Sequence, residues 1–145
     1  MTDTRFSSAI HALILISEAE TPMTSEQIAV SVGTNASYIR KLTALLSKGG
    51  IIEGKRGVGG FTLRVPSDRL TLYEVYRAIY GTERVRVFDI HQNANDKCIV
   101  GRHIMPVLTG AFSAIGEKAE QELKRQTLAG LIDTMRAEVG KDEAK

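Results

Sequence analysis

The sequence predicts a mainly α-helical fold that carries one small β-hairpin. Apolar residues recur at helical spacing over most of the 145-residue chain. One stretch, "KRGVGGFTL" at 55–63, interrupts that pattern with two cations, three glycines within four residues and then β-prone residues. The length is sufficient for one ordinary domain and an appended element, and no internal repeat is present.

Capping signals delimit the first three helices. The first helix lies upstream of Pro22. The segment "TSEQ" at 24–27 is a capping box that begins the second helix, and Gly33 can adopt the left-handed conformation that ends it. Asn35 can cap the third helix, which runs to Lys48. The apolar residues that define the first and third helices are Phe6, Ile10, Leu13, Ile14, Ile39, Leu42, Leu45 and Leu46.

The remaining elements follow from the same rules. Residues 51–55 and 61–65 read as two short strands around the glycines, and Thr71 caps a fourth helix. Residues 81–100 read as a loop, after which a long helical pattern runs from about Gly101 to Arg125 with Pro106 tolerable only near its start. A last helix begins at Thr127, and its final residues, 140–145, are expected to fray.

The second and third helices have the spacing of a helix-turn-helix. Ala29 supplies a small residue where the two helices cross, and Gly33 suits the tight turn. Ile39 is an apolar residue that can point back at the preceding helix. A two-stranded hairpin directly after such a pair predicts a winged helix, in which exposed cations at the hairpin tip can lie along phosphates.

The glycine-rich stretch does not fit a nucleotide-binding loop. The segment "GGIIEGKR" at 49–56 nearly matches a phosphate loop, but Arg56 stands where the magnesium-binding hydroxyl belongs. The order of elements is also reversed, because a helix precedes the stretch and a strand follows it. Paired carboxylates near a histidine and nucleophile–base spacings are lacking as well, so the sequence indicates that the protein is not an enzyme.

Charge is unevenly distributed along the chain. The net charge is only +2, yet residues 1–33 carry −3 and residues 34–64 carry +5. A local basic block in a nearly neutral protein is typical of a polyanion-binding surface, although an ordinary solvated face remains an alternative at this point. The cations of the block are Arg40, Lys41, Lys48, Lys55, Arg56 and Arg64.

Composition also indicates where in the cell the protein is located. With 43% apolar and 25% charged residues, the chain has the composition of a globular protein. No continuous apolar run approaches the roughly 20 residues that span a bilayer, so no membrane partner is expected. The segment "MTDTRFSS" lacks the features of a signal peptide, and a single cysteine excludes an internal disulfide. These features favour the cytoplasm.

The run "GGIIEGKRGVGGFTLRVPSDRLTLYEVYRAIYG" resembles the Rrf-two family of bacterial winged-helix regulators, the group that includes IscR, NsrR and CymR. "RGVGGFTL" is similar to the family's glycine-rich wing, and "AIHALILIS" and "CIVGRHI" resemble the YwnA-like branch. The resemblance implies a homodimeric, DNA-binding transcription factor, usually a repressor. A two-fold dimer with two recognition helices is in turn expected to read a near-palindromic operator in double-stranded DNA. It also implies that the long C-terminal helix mediates dimerisation.

The chain departs from the cluster-binding members of this family at their three-cysteine motif. Only Cys98 is present, and one thiolate per chain does not build a four-cysteine site, so no iron–sulfur cluster or other cofactor is expected. A metal site of Cys98 with His91 and His103 is disfavoured by their spacing. Cys98 is either a buried small residue or a reactive thiol that serves as a redox sensor before a helix start. His11 is expected to be packed in the core.

These inferences divide the chain into three parts. Residues 1–80 are predicted to form the winged helix-turn-helix, 81–100 a loop with Cys98, and 101–140 a helical dimerisation region. The alternative function is a winged-helix protein-interaction module without DNA binding. The residues predicted to contact DNA are Asn35, Ser37, Tyr38 and Arg40 on base edges, with Lys41, Lys48, Lys55, Arg56 and Gly57 on phosphates or at the wing tip.

Overall fold

The computed structural model describes residues 3–55 and 57–144 and contains six helices and one antiparallel hairpin. The helices are α1 (Arg5–Glu18), α2 (Ser25–Val32), α3 (Ala36–Lys48), α4 (Leu72–Tyr80), α5 (Ile99–Arg125) and α6 (Leu128–Glu143). The strands are β1 (Ile52–Gly54) and β2 (Phe61–Leu63). The predicted mainly α fold with a small hairpin and a long C-terminal helix is confirmed.

A single apolar core joins α1 to α4 with the hairpin and α6. Its fully enclosed residues include Leu13 of α1, Ile28 of α2 and Leu46 of α3, with Val75 of α4 and Leu128 of α6. Thus α6 contributes to the same core as the N-terminal elements, although the sequence places it in a C-terminal region. The predicted division into three parts stays a prediction.

The helix-turn-helix follows the predicted local rules. The Thr24 hydroxyl accepts a hydrogen bond from the Gln27 amide, and the Gln27 side chain accepts one from the Thr24 amide, which completes the capping box. Gly33 ends α2 in the left-handed conformation with φ of 83°. Ala29 and Ile39 are both buried where α2 and α3 meet. The predicted helix-turn-helix is therefore confirmed.

The wing is anchored to the chain that enters α2. Within the hairpin, Glu53 lies opposite Thr62 in the middle of the register. The Phe61 amide donates to the Met23 carbonyl at 2.8 Å, and the Met23 amide donates to the Phe61 carbonyl at 3.2 Å. This extra pairing makes β2 the middle of three paired segments, so the base of the wing is held against the start of the helix-turn-helix.

A second pair of backbone hydrogen bonds ties the end of α5 to the winged-helix core. The Leu128 amide donates to the Leu70 carbonyl at 2.8 Å, and the Leu72 amide donates to the Gln126 carbonyl at 3.0 Å. The residues between them, Thr71 and Thr127, are the N-caps of α4 and α6. Two helix starts therefore lie side by side at the point where the long helix ends.

Several details of the prediction were wrong. The strands are shorter than predicted, since each covers three residues where five were expected. The long helix starts at Ile99 and continues through Pro106, which has no N–H group to donate to the Arg102 carbonyl. The last helix, α6, extends into the segment that was expected to fray. His11 is exposed, with its Nε2 atom 3.0 Å from the Ser31 hydroxyl, and is not a core residue.

The anchored wing predicts different roles for two adjacent glycines. Gly60 has φ of 101°, and a Cβ atom there would lie 2.8 Å from the Pro22 carbonyl carbon. Gly60→Ala should therefore lower the free energy of unfolding by about 2 kcal/mol. Gly59→Ala is the matched control, because its Cβ atom would meet Thr24 Cγ2 at 3.8 Å. Urea unfolding measures both variants; equal midpoints would contradict the anchoring of the wing.

Candidate nucleic-acid interface

The outer face of α3 is a continuous exposed stripe. Ser37, Lys41, Ala44 and Lys48 follow one another at intervals of four, three and four residues, and all are exposed. The opposite face holds Ile39, Leu42, Thr43 and Leu46 in the core. Burial of that face fixes which side of α3 is presented outward. Three of the predicted contact residues, Ser37, Lys41 and Lys48, lie together on this stripe.

Two of the predicted contact residues have structural roles at the start of α3. The Asn35 side-chain oxygen accepts a hydrogen bond from the Tyr38 amide at 2.8 Å, so Asn35 is the N-cap. Its amide group still leaves two donors for a base or phosphate. The Tyr38 ring is half-buried against the core at the flank of the stripe. Base contacts by both residues stay predictions.

Arg40 lies on the other flank of α3 and pairs with α2. Its guanidinium group is 3.2 Å from the Glu26 carboxylate, and both side chains are more than half exposed. Exposed pairs of this kind contribute about 0–1 kcal/mol, so Arg40 can exchange Glu26 for a nucleic-acid acceptor at small cost.

The wing adds a second exposed basic position. Lys55 follows β1 directly and is exposed, and its carbonyl accepts a hydrogen bond from the Val58 amide at 3.0 Å. Gly57, inside this turn, has φ of 81°, which a side chain would strain. Arg56, the predicted wing-tip cation, lies outside the described residues. Its contact with DNA stays a prediction.

Sequence reasoning missed one residue of the stripe. Ala44 lies between Lys41 and Lys48 on the exposed face, where its methyl group suits an apolar contact with a thymine methyl. The signal was available, since Ala44 continues the spacing of Ser37 and Lys41. Its side chain carries neither a charge nor a polar group, which are the features that predict a nucleic-acid contact from sequence.

Cys98 is the N-cap residue of α5 and is exposed, so the buried alternative is wrong. The backbone amides of Gly101 and Val100 face its sulfur and lower the pKa of the thiol, because they stabilise the thiolate. The turn before α5 packs closely on its first residues, because a Cβ atom at Gly101 would collide with the Asn95 carbonyl oxygen. The local geometry therefore favours a reactive thiol.

The N-terminal half of α5 carries an apolar face that is largely exposed. Val100 and Val107 are 65% and 63% exposed. The face comprises Val100, Ile104, Val107, Leu108, Ala111 and Ile115. By length and composition, α5 is the one helix among residues 3–55 and 57–144 that could cross a membrane. Phe112 lies outside this face, and its ring centroid is 5.5 Å from that of Phe88.

The architecture is that of a winged-helix DNA-binding protein. A family model described as "Rrf2: Iron-dependent Transcriptional regulator" matches residues 2–134. The chain therefore belongs to the Rrf2 family, as its wing motif indicates, and it is a transcriptional regulator.

Individual relatives agree with this assignment. The chain is 37% identical to "Putative HTH-type transcriptional regulator YwnA" of Bacillus subtilis, over 92% of this chain and 98% of that protein. It is similar to a crystal structure described as "a putative DNA binding protein", with a TM-score of 0.72, 34% identity and coverage of 88% and 98%. CymR, the global cysteine regulator of B. subtilis, shares the fold with a TM-score of 0.68 at 18% identity and coverage of 92% and 96%. These relatives are described as regulators or DNA-binding proteins and not as enzymes.

The donor atoms of this chain do not fit the iron named in the family description. Cys98 is the sole cysteine of the sequence. Among residues 3–55 and 57–144, no three His, Cys, Asp or Glu side chains converge on a common point. The His103 Nδ1 atom lies 2.8 Å from the Ile99 carbonyl oxygen, within its own helix. The expectation that no cluster is bound stays a prediction.

The exposed stripe of α3 predicts a change in the salt dependence of DNA binding. Lys48→Ala should make the slope of log K against log salt less negative by about one unit, because one phosphate contact is lost. Lys97→Ala is the control, since Lys97 is exposed in the loop before α5. Fluorescence anisotropy with duplex DNA measures the slope. An unchanged slope in Lys48→Ala would remove this residue from the interface.

Proposed function

We propose that this regulator is a homodimeric repressor that reads a near-palindromic operator and responds to oxidation of Cys98. The observation that carries the DNA-binding part is the exposed stripe of α3 beside an anchored wing. α3 is held by its buried face, so Ser37, Lys41 and Lys48 can enter a major groove together. Lys55 would then lie along the phosphates at the side of that groove.

The apolar face of α5 supports a dimer. A contiguous apolar surface of this kind promotes association, and a two-fold pair can bury it against its own copy. The alternative of a membrane-spanning α5 is disfavoured, because the residues directly after its C-terminal end are tied to the core through the hydrogen bonds of Leu72 with Gln126 and of Leu128 with Leu70. Arg102 and His103 also lie inside the apolar stretch. This arrangement is consistent with a cytoplasmic protein that acts on DNA, and repression follows if the operator overlaps a promoter.

Cys98 supports the proposed response to oxidation. Hydrogen peroxide would transfer one oxygen to the Cys98 thiolate as its O–O bond breaks, giving a sulfenic acid and hydroxide, which takes up a proton from solvent to form water. The sulfur lies in the first turn of α5, and Arg102 Nε donates to the Asp96 carbonyl at 2.9 Å across that turn. An added oxygen would disturb this turn and shift the start of the helix that pairs the two subunits.

The dimer proposal predicts the effect of charges on the apolar face. Val107→Asp combined with Ile115→Asp should give monomers, because two carboxylates would be buried without partners. Val30→Asp is the control, since Val30 is 84% exposed on α2. Light scattering at micromolar concentration measures the mass. A monomeric wild-type protein would overturn the dimer.

The oxidation proposal predicts a response that depends on one sulfur atom. Mild hydrogen peroxide should change the affinity of the wild-type protein for duplex DNA and leave Cys98→Ser unchanged. Because the pKa of the thiol is lowered, iodoacetamide at neutral pH should also react faster with the folded chain than with the urea-unfolded chain. An equal response to peroxide in both proteins would exclude Cys98 as the switch.

A further inference from the structure

A cavity of about 620 Å³ lies between the loop that follows α4 and the middle of α5. The loop contributes Arg84, Arg86 and Phe88, and the helix contributes Thr109, Phe112 and Ser113. This volume falls within the range of about 300–1,000 Å³ that is typical of small-molecule sites. The cavity is separate from α3 and the wing, so DNA recognition does not account for it.

The cavity is formed by small residues on one side of α5. A Cβ atom at Gly116 would lie 2.5 Å from the Val85 carbonyl oxygen, so the loop backbone rests directly on the helix at that point. Ser113 and Thr109, about one and two turns earlier, are too small to fill the space beside the loop. Phe88 and Phe112, with ring centroids 5.5 Å apart, form an aromatic wall. Phe88 is 54% exposed and can become buried against a bound molecule.

Charge is divided between the two sides of this cavity. On the loop side, Arg84 makes no ion pair within residues 3–55 and 57–144, and Arg86 pairs with Asp89 at 3.4 Å while both stay largely exposed. On the helix side lie Glu117 and Glu120. An anionic group is therefore stabilised beside the arginines and repelled from the helix, which orients a bound molecule.

We propose that this cavity binds a small amphipathic organic anion. Its negative group would contact Arg84 and Arg86, and its apolar body would lie against Phe88 and Phe112. Guanidinium groups suit carboxylate, sulfonate or phosphate oxygens because they offer paired N–H donors. The binding step does not depend on the proposed function, since it involves none of the DNA-contacting residues.

The loop of this cavity is connected to α3 through α4. The Tyr73 hydroxyl donates to the Glu83 carbonyl at 2.6 Å, and the Arg86 amide donates to the Tyr76 hydroxyl at 3.1 Å. At the other side of α4, a Cβ atom at Gly49 would lie 2.9 Å from Ala78 Cβ, so the end of α3 packs closely on α4. A ligand that moves the loop can thus shift α3, a consequence that rests on the proposed function.

The test uses 8-anilinonaphthalene-1-sulfonate, an aromatic anion whose fluorescence rises on binding. Full-length protein without DNA should bind one dye per chain saturably, and 3-phenylpropionate should displace it. The double variant Arg84→Ala with Arg86→Ala should weaken binding about tenfold or more, because charge-assisted hydrogen bonds are lost. Ser113→Trp should abolish binding by filling the cavity. Arg69→Ala is the control for the loss of one exposed arginine.

Absence of saturable binding, or equal binding by the double variant and the control, would overturn the cavity as an anion site. Equal binding would place the dye on the apolar face of α5. The melting temperature of Ser113→Trp reports whether that variant folds. If it does not fold, dye binding by the double variant Arg84→Ala with Arg86→Ala tests the anion site. Because DNA is absent, failure here leaves the proposed function intact. Unchanged DNA affinity of the dye-saturated wild type would overturn the link to α3.

Discussion

The backbone pairing of Leu70 with Leu128 is the constraint on which the arrangement of this protein depends. It joins the turn before α4 to the turn between α5 and α6, and both leucines are fully buried. α4 packs on α3 at Gly49, while α5 carries the exposed apolar face. The pairing therefore sets the direction in which α5 leaves the DNA-binding head. In a dimer built on α5, it would also set the distance between two copies of α3.

A second constraint positions the wing relative to α3. The reciprocal hydrogen bonds between Met23 and Phe61 hold the hairpin against the entry to α2. Gly60 permits this approach because it has no side chain to meet the Pro22 and Met23 backbone. The glycine-rich stretch therefore has two uses: Gly60 brings the wing base close to the helix-turn-helix, and Gly57 forms the turn at its tip. Neither use involves a nucleotide.

The features that the sequence predicted well are those governed by local chemistry. Thr24, Asn35, Thr71 and Thr127 each cap the helix that was expected, because a cap needs only a side-chain oxygen and a free amide nearby. The exposure of His11 and the assignment of α6 to the core were not predictable, since both depend on contacts between distant segments. The cavity beside α5 depends on how residues 82–92 cross Gly116, which no local pattern encodes. The roles of the α3 residues in DNA binding stay predictions, although their shared face is now defined.

The central claim is that two identical heads, spaced by α5, read one operator. Selection of bound duplexes from a random DNA pool by the full-length protein, followed by sequencing, tests it most directly. The account predicts an enriched motif of two inverted half-sites whose centres are about 10–10.5 base pairs, or about one helical turn, apart. Enrichment of a single half-site without an inverted partner, or no enrichment at all, would contradict it.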